Sequence, residues 1–440
     1  MTVSLPPASR PPHPRSPATA PGRPATAPYA GPLPVDRNRW PDVARLPDAS
    51  PARTAVARLI VRRALARLPL TVKWGDGSTL GLGGPVMRVH APGAFHRRIG
   101  AGGLIGFGES YMAGEWTADD LVGVLTVLAE HAATLVPQPL QRLRGIWAPR
   151  HPAAARNTPE GSRDNISHHY DLSNDLFALF LDDTLSYSSA VFRSFPATAE
   201  LLPAAQHRKI DRLLDLAGVG EGSEVLEIGT GWGELAIRAA RRGARVTSAT
   251  LSREQRELAL RRVADAGLTD RVSVLLRDYR QLTGTYDAVV SVEMIEAVGE
   301  EFWPEYFAAL ERLLAPGGRI ALQAITLPHD RMLAAKDTYT WIQKYIFPGG
   351  LIPSAEALQQ TAAAHTGLRV ARSEGFGAHY AETLRLWRER FDARGAEVDA
   401  LGFDAVFRRM WSFYLAYSEA GFRSGYLDVR QLLLTEGGVR

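Results

Sequence analysis

Chemistry is most legible in Glu224-Val-Leu-Glu227-Ile-Gly229-Thr-Gly231-Trp-Gly233, where an apolar strand ends in a carboxylate and runs into glycines at alternate positions. Glycine there lets the backbone approach a ligand closely and adopt positive φ where a side chain would clash. Such a turn suits a nucleotide-like ligand at the carboxyl end of a strand. Its spacing is G-x-G-x-G, whereas the dinucleotide fingerprint is G-x-G-x-x-G with an acid closing the second strand. Here the second strand, Arg245–Thr250, closes on Thr250-Leu251-Ser252, so a nicotinamide cofactor is disfavoured on both counts.

A carboxylate before G-x-G is what S-adenosylmethionine (SAM) methyltransferases use, and Glu227 suits an amino group or ribose hydroxyls; the glycines alone leave another nucleotide open. The elements that must position this turn alternate in type. A helix over 234–242, the strand 245–250, a helix over 253–267, a strand 272–276 ending at Asp278 and a strand 286–292 running into Glu293-Met294-Ile295-Glu296 follow in turn. A helix over 303–314, the turn Ala315-Pro316-Gly317-Gly318 and a fifth strand over 319–326 complete the run. The alternation predicts an α/β fold with a doubly wound, Rossmann-like parallel sheet. Met294 and Ile295 read as packing residues.

Composition bounds the rest. With 440 residues the chain can hold two or three domains. It has no cysteine, which excludes a disulfide frame, a thiolate metal site and a cysteine nucleophile. No other ligand set stands out, so no metal is expected. No apolar run reaches about 18 residues, so no transmembrane helix is expected, and the Arg- and Pro-containing start lacks the apolar core of a secretory signal. A cytoplasmic protein, peripherally associated with the membrane, is the expectation. The net charge of +4 conceals an asymmetry: residues 1–68 hold eleven arginines against three aspartates, leaving the remainder net acidic. A basic front suits anionic headgroups or nucleic acid, or is a solvated tail.

Residues 1–51, with 14 of the 29 prolines, read as disordered. Thr54 to Leu70 places Val56, Leu59, Ile60, Ala64 and Leu68 at helical spacing between arginines; such a helix packs on its own domain more often than on a membrane. Alternation over 71–90 breaks at Gly75-Asp76-Gly77, a hairpin signal. With a helix from Ala118 to about Leu135, residues 52–135 form a small α+β domain. Residues 136–164 read as a basic linker and 165–440 as a methyltransferase domain elaborated by aromatic helices over 379–420.

Four stretches then act together: His169-Tyr-Asp-Leu-Ser-Asn-Asp175, Leu185-Ser-Tyr-Ser-Ser-Ala190, Glu227 to Gly233 with Thr250-Leu-Ser-Arg-Glu-Gln255, and Tyr345-Ile-Phe-Pro-Gly-Gly-Leu-Ile-Pro-Ser354. With them, and with Ile99 to Trp116 like its N-terminal lipid-binding domain, the chain resembles the cyclopropane-fatty-acyl-phospholipid synthase family, which includes the mycolic acid cyclopropane synthases. The resemblance implies a class I SAM methyltransferase domain that adds a methylene across a cis double bond in a phospholipid acyl chain. It implies SAM contacts from Tyr187, Ser188, Gly229, Gly231, Thr250 and Gln255, with Asp278 and Tyr279 near the adenine; Glu227, Gly233 and Ser252 complete the cofactor set. It also implies a bicarbonate ion, the base, in a pocket formed by Ser189, Glu296, Gln323, Ile325 and Tyr414. The better-known pattern has Cys and His where this chain has Ser189 and Gln323, and His where it has Ala297. Hydroxyl and amide still donate to an oxyanion, so what changes is the final proton abstraction and hence the product.

The sulfonium methyl is electrophilic and an alkene is a weak nucleophile, so the site must bring them together in a dry pocket and stabilise a carbocation. Aromatic faces do so, at about 2 kcal/mol or more when desolvated. Tyr170, Phe177, Tyr187, Trp341 and Tyr414 are the candidates. The leading function is cyclopropanation of unsaturated phospholipid acyl chains at a membrane surface, with a methylene or methyl branch second. A small-molecule SAM methyltransferase and a non-catalytic lipid- or nucleic-acid-binding protein compete, although no nucleic-acid motif is present. A homodimer, and a reductase partner for a methyl-branched product, stay open.

Overall fold

The computed structural model describes residues 34–132, 173–336 and 338–437. The expected linker, His168, His169, Tyr170, Asp171 and residues 1–33 of the expected disordered tail lie outside these. Residues 34–51 depart from the disorder expected of them. A helical turn spans Pro41–Ala44, Val43 is buried, and the Trp40 indole donates to Asp404 at 2.8 Å. That anchor lies 364 residues away, beyond the reach of local composition.

The front unit is a four-stranded sheet, order β2-β1-β3-β4, of β1 (Thr71–Trp74), β2 (Thr79–Leu80), β3 (Val86–Val89) and β4 (Trp116–Ala118). β1 and β2 form the hairpin expected at Gly75-Asp76-Gly77. Its basic helix, Pro51–Leu65, packs inward through Ala57 and Leu65, leaving Val56 and Leu59 exposed. The inner stripe is therefore offset from the one the apolar spacing suggested, because Ala57 fits against the backbone at Gly100.

The second sheet has seven strands: β5 (Glu224–Ile228), β6 (Arg245–Thr250), β7 (Val272–Leu276), β8 (Tyr286–Val292), β9 (Leu314–Thr326), β10 (Leu368–Gly375) and β11 (Asp428–Glu436). Their order is β10-β11-β9-β8-β5-β6-β7, with β5 to β9 parallel and β11 antiparallel between β9 and β10. Alternate strand residues feed opposite faces. Val225, Val246 and Val290 pack under helices Leu202–Ala217, Glu234–Arg241 and Arg253–Asp265. Leu226, Val289 and Leu322 pack under helices Trp303–Leu313 and Ala355–His365. The order in which successive strands are added reverses beside β5, between β5 and β8, opening a crevice at the strand ends.

The expected aromatic elaboration comprises helices Gly377–Ala393, Gly395–Ala400 and Ala405–Arg423. Its apolar core is continuous with that of the front unit. Phe413 meets Phe107, Tyr111 and Trp116 with ring centroids 5.1–6.3 Å apart, and Arg409 donates to the Tyr111 carbonyl at 2.9 Å. Among the described residues, no helix is long and apolar enough to cross a membrane.

Candidate active site

β5 delivers Glu227 to the crevice, and the glycine turn follows with Gly229, Gly231 and Gly233 at φ of 96°, 52° and 90°. A Cβ on Gly231 would meet nothing within 4 Å and would stand in the open cleft. A Cβ on Gly233 would lie 3.1 Å from Ala259, so the third glycine serves close helix packing. Tyr187, Ser188, Glu227, Gly229, Gly231, Thr250, Gln255, Asp278 and Tyr279 line one cleft. Gly233 and Ser252 stand behind its wall, Ser252 capping helix Arg253–Asp265 through the Gln255 amide.

Glu227 is buried, and the Ser248 hydroxyl lies 2.5 Å from its carboxylate and 2.7 Å from Thr230 Oγ1. Burial pushes its carboxyl up to about 8, against the opposing pull of Ser248 and Lys209. Lys209 is fully enclosed and donates to Ser188 Oγ at 2.6 Å; burial pulls its ammonium down to about 8, opposed by Glu293, Asp182, Glu227 and Glu234. Across the cleft, the Thr250 hydroxyl bonds Gln255 Oε1 at 3.0 Å. Arg280 braces both oxygens of Asp278, through Nε at 2.8 Å and Nη2 at 2.6 Å.

Behind Ser188 lies the cluster expected to hold an oxyanion. Ser189 and Gln323 are buried, and both point donors at one acceptor, the carboxylate of Glu293: the Ser189 N–H at 3.0 Å and Gln323 Nε2 at 2.8 Å, both to Oε1. The Tyr380 hydroxyl donates to Oε2 at 2.6 Å. Glu296 accepts from the Ile325 N–H through Oε1, while its Oε2 is buried without a hydrogen-bond partner. Burial first, and then the neighbouring Glu293, push the Glu296 carboxyl up to about 8. The Tyr414 and Tyr187 hydroxyls lie 2.7 Å apart.

Tyr187 joins the two regions. Its ring packs against Phe177, Phe180 and Trp387 at 5.1–6.1 Å. Of the candidate cation-stabilising rings, Phe177, Tyr187 and Tyr414 gather here. Trp341 packs instead on Tyr345 and Phe413, towards the front unit.

A family model described as mycolic acid cyclopropane synthetase matches residues 157–432. The chain belongs to that family. Among its relatives, a tuberculostearic acid methyltransferase of Mycobacterium tuberculosis is 56% identical over 414 residues, covering 92% of this chain and 97% of the relative. A cyclopropane-fatty-acyl-phospholipid synthase of Escherichia coli K12 is 34% identical over 357 residues, covering 80% and 88%. The solved mycolic acid cyclopropane synthase CmaA1, complexed with SAH and CTAB, superposes with a TM-score of 0.57 at 34% identity, covering 62% of this chain and 97% of its own. The fold is that of the class I SAM methyltransferases.

Sequence reasoning missed Lys209, Glu293, Tyr380 and Arg280 as site residues. Lys209 carried a signal, being a cation on the inner stripe of helix Leu202–Ala217 beside Ala205, Ile210 and Leu213, where a buried charge must find partners. Glu293 carried a weaker one, a second acid three residues before Glu296.

Proposed function

We propose that the chain transfers a methyl group from SAM to the cis double bond of an unsaturated phospholipid acyl chain and releases a methylene-branched chain, in preference to the cyclopropane that the sequence ranked first. The observation that carries methyl transfer to carbon is the continuity of the donor cleft with the aromatic cage through Tyr187. The branched product is supported by the 56% identity to a protein named for a methyl-branched fatty acid.

The cleft residues fit the donor. Glu227 is a buried carboxyl that pairs with an ammonium on ionising, and the bare glycine turn leaves space beside it. Thr250, Gln255 and the Arg280-braced Asp278 offer groups for ribose and base. SAM, when bound, supplies an electrophilic methyl to the alkene and leaves a carbocation on the acyl chain. Tyr187, which alone of the four rings lines the cleft, offers its π-system to that charge, and Phe177, Phe180 and Trp387 packed behind it exclude water, which would otherwise trap it. A 1,2-hydride shift moves the charge onto the methylated carbon, and loss of a proton from the new methyl then gives an exocyclic-type methylene without net oxidation or reduction. Ring closure with proton loss before that shift gives the cyclopropane. Conversion of the methylene to a methyl branch needs two electrons and two protons, delivered as a hydride and a proton by a separate reductase.

The test incubates the protein with methyl-labelled SAM and dioleoyl phospholipid vesicles, then identifies the acyl product by mass spectrometry after ozonolysis. Label in an ozonolysis-sensitive methylene chain is expected. Label in an ozonolysis-resistant ring would return the assignment to cyclopropanation, and absence of label from lipid would overturn lipid methylation.

A further inference from the structure

Resting on that reading, we infer that the chain carries its own base: Glu293 removes the proton from the methylated acyl cation, from within the pocket where the family resemblance places bicarbonate. Three donors, the Ser189 N–H, Gln323 Nε2 and the Tyr380 hydroxyl, converge on the Glu293 carboxylate at 2.6–3.0 Å. Hydrogen bonds of this kind favour the ionised acid. Gln323 has no freedom to turn elsewhere, because its Oε1 accepts from Gln431 Nε2 at 3.0 Å. While Glu293 occupies these donors, a separate anion cannot use them.

Backbone geometry points the same way. Among the described residues, only Leu185 and Glu293 combine a side chain with a positive φ, 51° and 50°, and both line the donor cleft. A non-glycine residue is held in that region only where its surroundings over-determine it, which is common at functional sites. The carboxylate thus sits between the cleft and the aromatic cage, with Ser189 two residues from Tyr187. Glu296 lies beside it with one oxygen buried and unpaired, and two close carboxylates do not both ionise readily. Burial raises both carboxyls above the usual carboxylate range; at Glu293 the Tyr380, Ser189 and Gln323 donors and then the Lys209 ammonium oppose it, whereas at Glu296 only backbone N–H groups do, so Glu296 is the member that keeps its proton.

The step balances within the site. A C–H bond of the new methyl breaks, its proton passes to a Glu293 carboxylate oxygen, and its electron pair forms the π bond to the cationic carbon. Protonated Glu293 then releases its proton to solvent through the open cleft.

The test follows lipid labelling by the full chain in buffer stripped of carbon dioxide and bicarbonate. Wild-type turnover is expected to be unchanged there, while Glu293→Gln loses about 10²- to 10⁴-fold in kcat with SAH affinity retained in calorimetry. Glu293→Gly accepts the positive φ, and its residual turnover is expected to rise on adding bicarbonate or formate. A wild-type protein whose turnover collapses without bicarbonate, or a Glu293→Gln protein with wild-type kcat, overturns the assignment while leaving lipid methylation standing. A wild-type protein that labels no lipid overturns both.

Discussion

Glu227→Gln offers a test of the donor site in which the structure supplies both magnitude and sign. Glu227 is buried, touches Ser248, and is pushed up to about 8 by burial, so near neutral pH the free protein holds it mainly protonated. Pairing with the donor's ammonium requires the ionised form. A hydrogen bond to a charged group is worth about 1.5–3 kcal/mol, from which the cost of ionising Glu227 is subtracted at about 1.4 kcal/mol per pH unit below 8. At about pH 7.5 the net value is about 0.8–2.3 kcal/mol, or about 4- to 50-fold in Kd; at about pH 6 almost nothing remains. Calorimetry with SAH across that range is expected to show wild-type affinity rising with pH, with proton release on binding, and Glu227→Gln staying flat. Lys209, pulled down to about 8, titrates in the same region and is the control: Lys209→Met removes a cation that favours ionised Glu227, so it shifts the wild-type rise to higher pH without abolishing it. A Glu227→Gln protein that follows the wild-type curve, or is weakened equally at both ends, refutes the reasoning.

Tyr380→Phe removes the donor on Glu293 Oε2, so Glu293 ionises less readily; the acid limb of the kcat–pH profile should move up by about one to two units, from a charged hydrogen bond of about 1.5–3 kcal/mol. Gly231→Ala puts a Cβ into the open cleft at a φ of 52°, and is expected to cost about 1–2 kcal/mol in denaturant unfolding while weakening SAH binding about tenfold or more, measured by calorimetry. Phe413→Ala empties a site shared by Phe107, Tyr111, Trp116 and Trp341; a loss of about 3–5 kcal/mol is expected, in one fluorescence-monitored transition, and two separate transitions would contradict the shared core.

The central sheet was legible because β5 to β8 are short, Val-rich runs that alternate with helical segments, and their ends fall within a residue or two of expectation. That the proposed donor residues would share one cleft was also legible, since Glu227, Gly229 and Gly231 lie within five residues at the end of β5, Thr250 ends β6 and Asp278 follows β7. The anion-like cluster was not, because it is assembled from Ser189, Glu293, Gln323 and Tyr380, separated by 30 to 104 residues in each bonded pair. No local pattern announces that a glutamate will curl back at positive φ to take donors from three other elements. The order of residues 34–51 was hidden likewise, depending on Asp404 and on Arg98, whose guanidinium gathers the carbonyls of Asp42 and Val43. In the helix Pro51–Leu65, hydrophobic spacing named the right element but misplaced Val56 and Leu59, which are exposed while small Ala57 packs inward; Ile60 and Ala64 are half-buried and Leu68, just beyond the helix, is buried as expected.

The seam between the front unit and helix Ala405–Arg423 bears on how this molecule can be handled. A polypeptide trimmed to 157–432 would expose the sides of Phe413 and Trp341 that Phe107, Tyr111, Trp116 and Gly108 now cover, and would deprive Lys344 of Glu109. Such a bare greasy strip promotes clumping, so the transferase half is not a portable module, and insolubility after amputation would report a missing cover, not a faulty catalyst.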